Sequence, residues 1–176
     1  MNPSDLPTGP SASSWRFMCA HPAHLVAFAG GAGLSPKAPG TVGTLWAWLC
    51  WHLFIADLSL VAQSLLVGLG FVLGLWACKV CATHLSIADP SAIVWDEVIA
   101  FWFVLMVLGP ATFFLQLMAF LLFRFFDAAK PPPVSWADRA FKGFGYRGAF
   151  GIMFDDLVAA ACALLVLALS VRFALS

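Results

Sequence analysis

Between Ser59 and Ala82 the chain runs for 24 residues with Lys79, near the end, as its only charge. A helix of roughly 20 such residues crosses the hydrocarbon core of a bilayer. The remainder agrees with that solvent: 62% of the 176 residues are hydrophobic and 10% are charged, where an ordinary soluble domain carries roughly 25%. Nine Lys/Arg balance nine Asp/Glu, so no net positive field exists to gather nucleic acid. The expected fold class is all-α: a polytopic membrane bundle of about four to five helices, with its polar motifs gathered on one face.

Turn residues and charges divide the apolar runs. Thr41 to Ala56 is one candidate helix and Ser59 to Ala82 a second, with Asp57-Leu58-Ser59 too short for anything but a turn. Ala92 to Phe126 is too long for one span and carries the helix-ending pair Gly109-Pro110, so it reads as two helices forming a hairpin. Gly151 to about Phe173 is the last. Residues 1–20 hold three Pro, four Ser and one Gly without an apolar core, which fits a mobile tail and not a secretory signal; residues 21–176 then form one integral-membrane domain. Five Cys, four of them in apolar segments, give no disulfide framework, and Cys78 and Cys81 read as small packing residues. Gly70 and Gly74 would allow a close helix contact, within a chain or between chains. The oligomeric state stays open.

If the five segments alternate in direction, the connections near Asp57 and Gly109 share one side and nearly every other charge falls on the opposite side, including all Lys/Arg except Arg172. The positive-inside tendency makes that charged side cytoplasmic.

Acids within such helices are costly and usually face a wet cavity or a partner. Asp96 and Glu97 open the third helix, Asp127 closes the fourth, and Asp155 and Asp156 sit early in the fifth. Neighbours on a helix point about 100° apart, so each adjacent pair is expected to aim at most one member at a shared centre. Converging carboxylates repel one another without a cation, and oxygen donors with no matching His or Cys set favour Mg²⁺, Mn²⁺ or Ca²⁺. Any single acid could instead be consumed in an ion pair, such as Asp127 with Arg124 or another with Lys130 or Arg139. Lys130 stands before Pro131-Pro132-Pro133, Arg124 lies earlier on the same helix, and Arg139 follows in the loop. The Gly-rich segment from Gly30 to Thr44 precedes a helix, where free backbone N–H groups bind anions. Acids, cations and this loop together predict a metal-assisted phosphoryl site. His84 reads as structural.

Gly33-Leu34-Ser35-Pro36-Lys37-Ala38-Pro39-Gly40-Thr41-Val42-Gly43, Ile93-Val94-Trp95-Asp96-Glu97, Phe123-Arg124-Phe125-Phe126-Asp127-Ala128-Ala129-Lys130-Pro131 and Gly151-Ile152-Met153-Phe154-Asp155-Asp156 resemble, in order and spacing, the signatures of the bacterial phosphatidylglycerophosphatase A family. The resemblance covers about Pro22 to Ala161. It implies a multi-pass inner-membrane hydrolase of phospholipid biosynthesis, dependent on Mg²⁺, whose lipid substrate is phosphatidylglycerophosphate and whose products are phosphatidylglycerol and phosphate. It also implies metal-holding acids at Asp96, Glu97, Asp127, Asp155 and Asp156 with Asp89 added upstream, catalytic roles for Asp96, Glu97, Asp127 and Asp156, and phosphate-binding roles for Ser35, Lys37, Thr41, Arg124, Lys130 and Arg139. The alternatives are a small cation transporter or a structural membrane subunit using the same acids. The Asp-Gly and Gly-x-x-x-Asp-x-x-x-Asp pattern of CDP-alcohol phosphotransferases and the Pro-Ser-Gly-His of phosphohistidine lipid phosphatases are both absent.

Overall fold

The computed structural model describes residues 14–174, in which eight α-helices and no strand occur. Five long helices carry the bundle. α3 (Pro39–Cys50) continues through a π-helical turn (Trp51–Ile55); α4 (Leu60–Leu85), α5 (Trp95–Leu108), α6 (Phe113–Ala129) and α8 (Gly145–Ala174) follow. Short elements close the charged end: α1 (Trp15–Cys19), α2 (Pro22–Ala27), a 3-10 segment (Ala29–Leu34) and α7 (Val134–Ala140).

The boundaries have local causes. The Ser59 side chain accepts a hydrogen bond from the Ala62 N–H at the start of α4, and the Thr112 side chain does the same for Leu115 in α6. Gly109, at φ +65°, turns the chain out of α5 just ahead of Pro110. Lys130 ends α6 in the left-handed conformation, immediately before three prolines that cannot continue the helix. The hairpin expected at Gly109-Pro110 is therefore present. Its arms are 14 and 17 residues long, about 21 and 25 Å at 1.5 Å per residue.

α5 is the central helix: Val98, Ile99, Ala100, Phe101 and Val104 are fully buried, and α3, α4, α6 and α8 pack around it. Two glycines let α4 approach. A Cβ on Gly70 would meet Ile99 Cδ1 at 2.5 Å, and one on Gly74 would meet both Met153 and Trp95 at 2.8 Å. Trp95 Nε1 donates to the Gly70 carbonyl at 2.9 Å. The small-residue pair thus serves contacts within the chain, and Trp95 lies partly buried against α4 because the missing side chains leave room for its ring. Cys78 and Cys81 are buried packing residues, and all five cysteines are free.

The bundle's outer surface is apolar. Leu45, Leu49 and Leu53, Leu65, Leu69 and Val72, Phe113, Phe114 and Leu121, and Leu165 and Phe173 all face outward. Two helices, Leu60–Leu85 and Gly145–Phe173, are long and apolar enough to cross a membrane. Exposed side chains of this kind, on helices with so few charges, belong in lipid.

The expected tail of residues 1–20 lies partly outside the described residues. Residues 14–20, by contrast, enclose α1, whose Phe17 and Met18 are buried. Phe17 stacks on His24 with ring centroids 4.0 Å apart, and its carbonyl accepts from His24 Nδ1 at 2.8 Å. That pairing draws the segment onto the bundle, a contact the Ser- and Pro-rich composition does not disclose.

Candidate active site

At one end of the bundle, α3, α5, α6, α8 and the segment before α5 enclose a cavity of about 270 Å³. Asp96 and Glu97 reach it from the first turn of α5, Asp156 from α8, Arg124 and Asp127 from the last turns of α6, and Lys130 from the α6 cap. One ligand atom each from Asp96, Glu97 and Asp156 lies within 4.8 Å of the others. Asp96 Oδ1, Glu97 Oε2 and Asp156 Oδ2 are buried without any hydrogen-bond partner. Three inward carboxylate oxygens in that state are costly unless a cation joins them. An all-oxygen donor set of this kind fits a hard divalent ion.

The pair of acids on α5 departs from the one-in, one-out expectation. Both belong to the trio, because Glu97 has an extra methylene with which to reach round the helix and stands at its first turn. The pair on α8 follows the expectation: Asp156 joins the trio, and Asp155 turns to Lys130 Nζ at 2.5 Å. Asp127, expected with the metal-holding acids, accepts from Arg124 Nη1 at 2.6 Å. Asp89 is half-exposed and faces Lys142 Nζ at 3.9 Å. All six candidate acids line the cavity; three converge on one another, and the other three each face a cation.

Arg124 also donates to Thr44 Oγ1 at 3.3 Å and stands 3.6 Å from Glu97 Oε1, while its Nε is buried and unpartnered. Lys130 Nζ lies between Asp155 and Asp138, the latter at 2.7 Å. Partial burial works to lower the Lys130 pKa, but its bonds to Asp138 and Asp155 more than offset this and raise it, so the ammonium is charged at neutral pH. Burial likewise works to raise the Asp138 carboxyl, and the Lys130 and Lys142 ammoniums hold it below the usual carboxylate range.

The glycine-rich segment is chiefly a packing device. A Cβ on Gly33 would meet the Ala92 carbonyl at 2.0 Å and one on Gly43 would meet Val94 Cβ at 2.8 Å; on Gly40 it would strike Glu97 Oε1 at 2.0 Å and Arg124 Nη2 at 3.0 Å. Only Ala38, Pro39 and Gly40 of this segment border the cavity. Ser35 Oγ donates to the Lys37 carbonyl, Lys37 and Arg139 are exposed, and none of Ser35, Lys37, Thr41 and Arg139 lines the cavity. As phosphate contacts read from the sequence, these four are not brought to the site, because the close glycine packing turns the loop toward α5 and because α7 presents Asp138, not Arg139, to Lys130. Thr44 and Asp138 are the residues that sequence reading missed. Thr44 had a signal in its position one helical turn after Gly40, whereas Asp138 depends on how α7 folds back.

A larger cavity of about 540 Å³ lies at the opposite end, where Gln116 Oε1 accepts from Trp48 Nε1 at 2.7 Å and lies 2.8 Å from His52 Nε2. Asp57 is its sole carboxylate among the lining residues, so no acid cluster converges there.

The profile of the phosphatidylglycerophosphatase A family matches residues 25–171. The chain belongs to the phosphatidylglycerophosphatase A family. It is 38% identical over 154 residues to phosphatidylglycerophosphatase A of Escherichia coli, spanning 88% of this chain and 86% of that protein. It is 34% identical over 146 residues to the Haemophilus influenzae protein of the same name, with 83% and 86% covered. A Bacteroides thetaiotaomicron relative, described as a candidate phosphatidylinositol-3-phosphatase, is 32% identical over 146 residues, with 80% and 87% covered. No solved structure matches the chain significantly.

Proposed function

We propose that this chain is a Mg²⁺-dependent phosphoric monoester hydrolase that removes the terminal phosphate of phosphatidylglycerophosphate, yielding phosphatidylglycerol and phosphate. The observation that carries the reading is the trio of unpartnered carboxylate oxygens of Asp96, Glu97 and Asp156 beside Arg124 and Lys130 in one cavity. Family membership supplies the substrate, through the names of the E. coli and H. influenzae relatives.

Asp96, Glu97 and Asp156 would hold the ion. When bound, Mg²⁺ supplies Lewis-acid polarisation of the phosphoryl group and a more acidic water. Arg124 and Lys130 neutralise the phosphoryl oxygens as charge spreads over them. Asp127 and Thr44 hold the guanidinium in place; Asp155 and Asp138 hold the ammonium. The acyl chains remain in lipid against the apolar outer surface while the headgroup enters the polar end. Eight of the nine Lys/Arg belong to the site side of the bundle, which supports a multi-pass protein of the bacterial inner membrane with its site facing the cytoplasm.

The transporter reading asks for acids near the bilayer midplane, and the trio at the first turn of α5 does not favour it. The test is phosphate release from phosphatidylglycerophosphate by purified protein in detergent, with Mg²⁺ and then with excess chelator. Release that stops on chelation is expected. Folded protein that releases nothing with Mg²⁺ present would overturn the assignment.

A further inference from the structure

The phosphatase site accounts for Arg124 and Lys130 but leaves Lys142 without a task. Lys142 follows α7 with a half-exposed side chain, and its Nζ donates to Asp138 Oδ1 at 3.0 Å. That same oxygen accepts from Lys130. The charges therefore alternate in a chain of Asp89, Lys142, Asp138, Lys130 and Asp155, three acids to two cations, along one edge of the cavity. Next to the cavity is a recess of about 20 Å³ lined by Asp138, Lys142, Phe141 and Gly148, and it shares Asp89, Ile152 and Asp155 with the main cavity. The recess holds roughly one water, so it receives a larger anion only when Lys142 moves aside. Exposed lysine–carboxylate pairs contribute little stability, and such a partner is exchanged at low cost.

Phosphatidylglycerophosphate carries two phosphates, at opposite ends of its terminal glycerol: the monoester that is cleaved and the diester that joins the headgroup to the lipid. With the monoester at the acid trio, the diester must lie within a glycerol's length of it. Among the described residues, Lys142 is the one Lys or Arg lining the adjoining recess, half-exposed, with Asp138 at 3.0 Å and Asp89 only at 3.9 Å. Building on the functional reading above, we propose that Lys142 is the specificity-determining residue for the headgroup, leaving Asp138 to pair with the phosphodiester while Lys130 and Arg124 take the monoester.

The test compares wild type, Lys142→Gln and Lys142→Arg on phosphatidylglycerophosphate and on phosphatidic acid, whose only phosphate is the monoester, used as substrate or as competing inhibitor. A charge-assisted contact of ordinary strength corresponds to a roughly 10-fold change. Lys142→Gln is expected to raise KM for phosphatidylglycerophosphate about 10-fold with little change in kcat, and to leave the constant for phosphatidic acid unaltered. Lys142→Arg is expected to restore most of the loss. An unchanged KM, or equal shifts for both lipids, would overturn the assignment to the phosphodiester. Wild type that fails to hydrolyse phosphatidylglycerophosphate with Mg²⁺ overturns the phosphatase reading instead, a result read before any variant is compared. The half-exposed position of Lys142 makes misfolding of either variant easy to recognise, since their melting temperatures should match that of wild type.

Discussion

Arg124 is held by side chains on three helices: Thr44 on α3, Glu97 on α5 and Asp127 on its own α6. Thr44 Oγ1 donates to the Gly40 carbonyl and accepts from Arg124, so Thr44→Val removes a buried partner without altering volume much. We expect kcat to fall about 10-fold with modest loss of stability, checked by steady-state kinetics and a thermal melt. Asp156→Asn keeps the shape and removes a charge from the trio; activity should drop at least about 100-fold, and the Mg²⁺ concentration for half-maximal rate should rise. Normal turnover by a folded Asp156→Asn protein would remove it from the site. His24 gives a pH dependence. Its Nδ1 faces the Phe17 carbonyl, which can only accept, so in the neutral ring Nε2 accepts from His84 Nδ1 at 2.9 Å. Burial lowers the His24 pKa and the neighbouring His84 and His21 lower it further, with the Phe17 carbonyl acting against them. The unfolded chain then takes up the proton first, so stability is complete above about pH 6.5 and declines as pH falls toward the folded value. Melting temperatures between pH 7.5 and 5 should decline less steeply in His24→Gln than in wild type.

Among the elements, the start of α3 governs the site from outside it. Gly40 leaves the room that Glu97 and Arg124 occupy, and a methyl group there would overlap Glu97 Oε1. Gly40→Ala should displace Glu97 from the trio and cost about 100-fold in kcat, the order of loss that a 1 Å misplacement produces. Its melting temperature is expected to change far less than that of Gly74→Leu, which drives bulk into Met153 and Trp95 at the α4 contact and should cost about 1–3 kcal/mol. Circular dichroism melts alongside phosphate release separate the two effects; a Gly40→Ala protein of normal activity would mean that the end of α3 does not set the Glu97 position. The chain just before α5 is fixed in the same way, with the Val94 N–H donating to the Ala27 carbonyl at 2.9 Å. α2 and the 3-10 segment thereby hold the first turn of α5, and with it both of its acids.

For the whole molecule, alternation of α3, α4, α5, α6 and α8 separates two ends: the acid trio, Lys130 and Lys142 at one, Asp57, Gly109 and Arg172 at the other. In a background with its five cysteines replaced, a membrane-impermeant thiol reagent should label Asp57→Cys in right-side-out vesicles and Ser135→Cys only in inverted ones. Labelling of both from one side would break the alternation. The apolar outer surface predicts that the protein leaves the membrane only with detergent, and among the described residues the acid trio and its neighbouring cations line the cavity at the site end, not the larger one opposite.

Much of this was legible in the residues. The helical class, the hairpin at Gly109-Pro110 and the gathering of charge at one end follow from where apolar runs break, because a hydrocarbon solvent leaves a backbone few other choices. The candidate acids stood out for the same reason, since carboxylates in such helices are too costly to be idle. Which acids meet was decided by tertiary structure. Asp127 and Asp155 face Arg124 and Lys130, whereas Asp156 Oδ2 has no partner, and such reach depends on helix rotation and on how α7 folds back, not on spacing along the chain. The glycines of the loop before α3 carry no mark that separates packing from phosphate binding; the approach of Ala92, Val94 and Glu97 to them assigned the role. A single chain records the cost of each group in its solvent, whereas the distances between groups on different helices exist only once the bundle has packed.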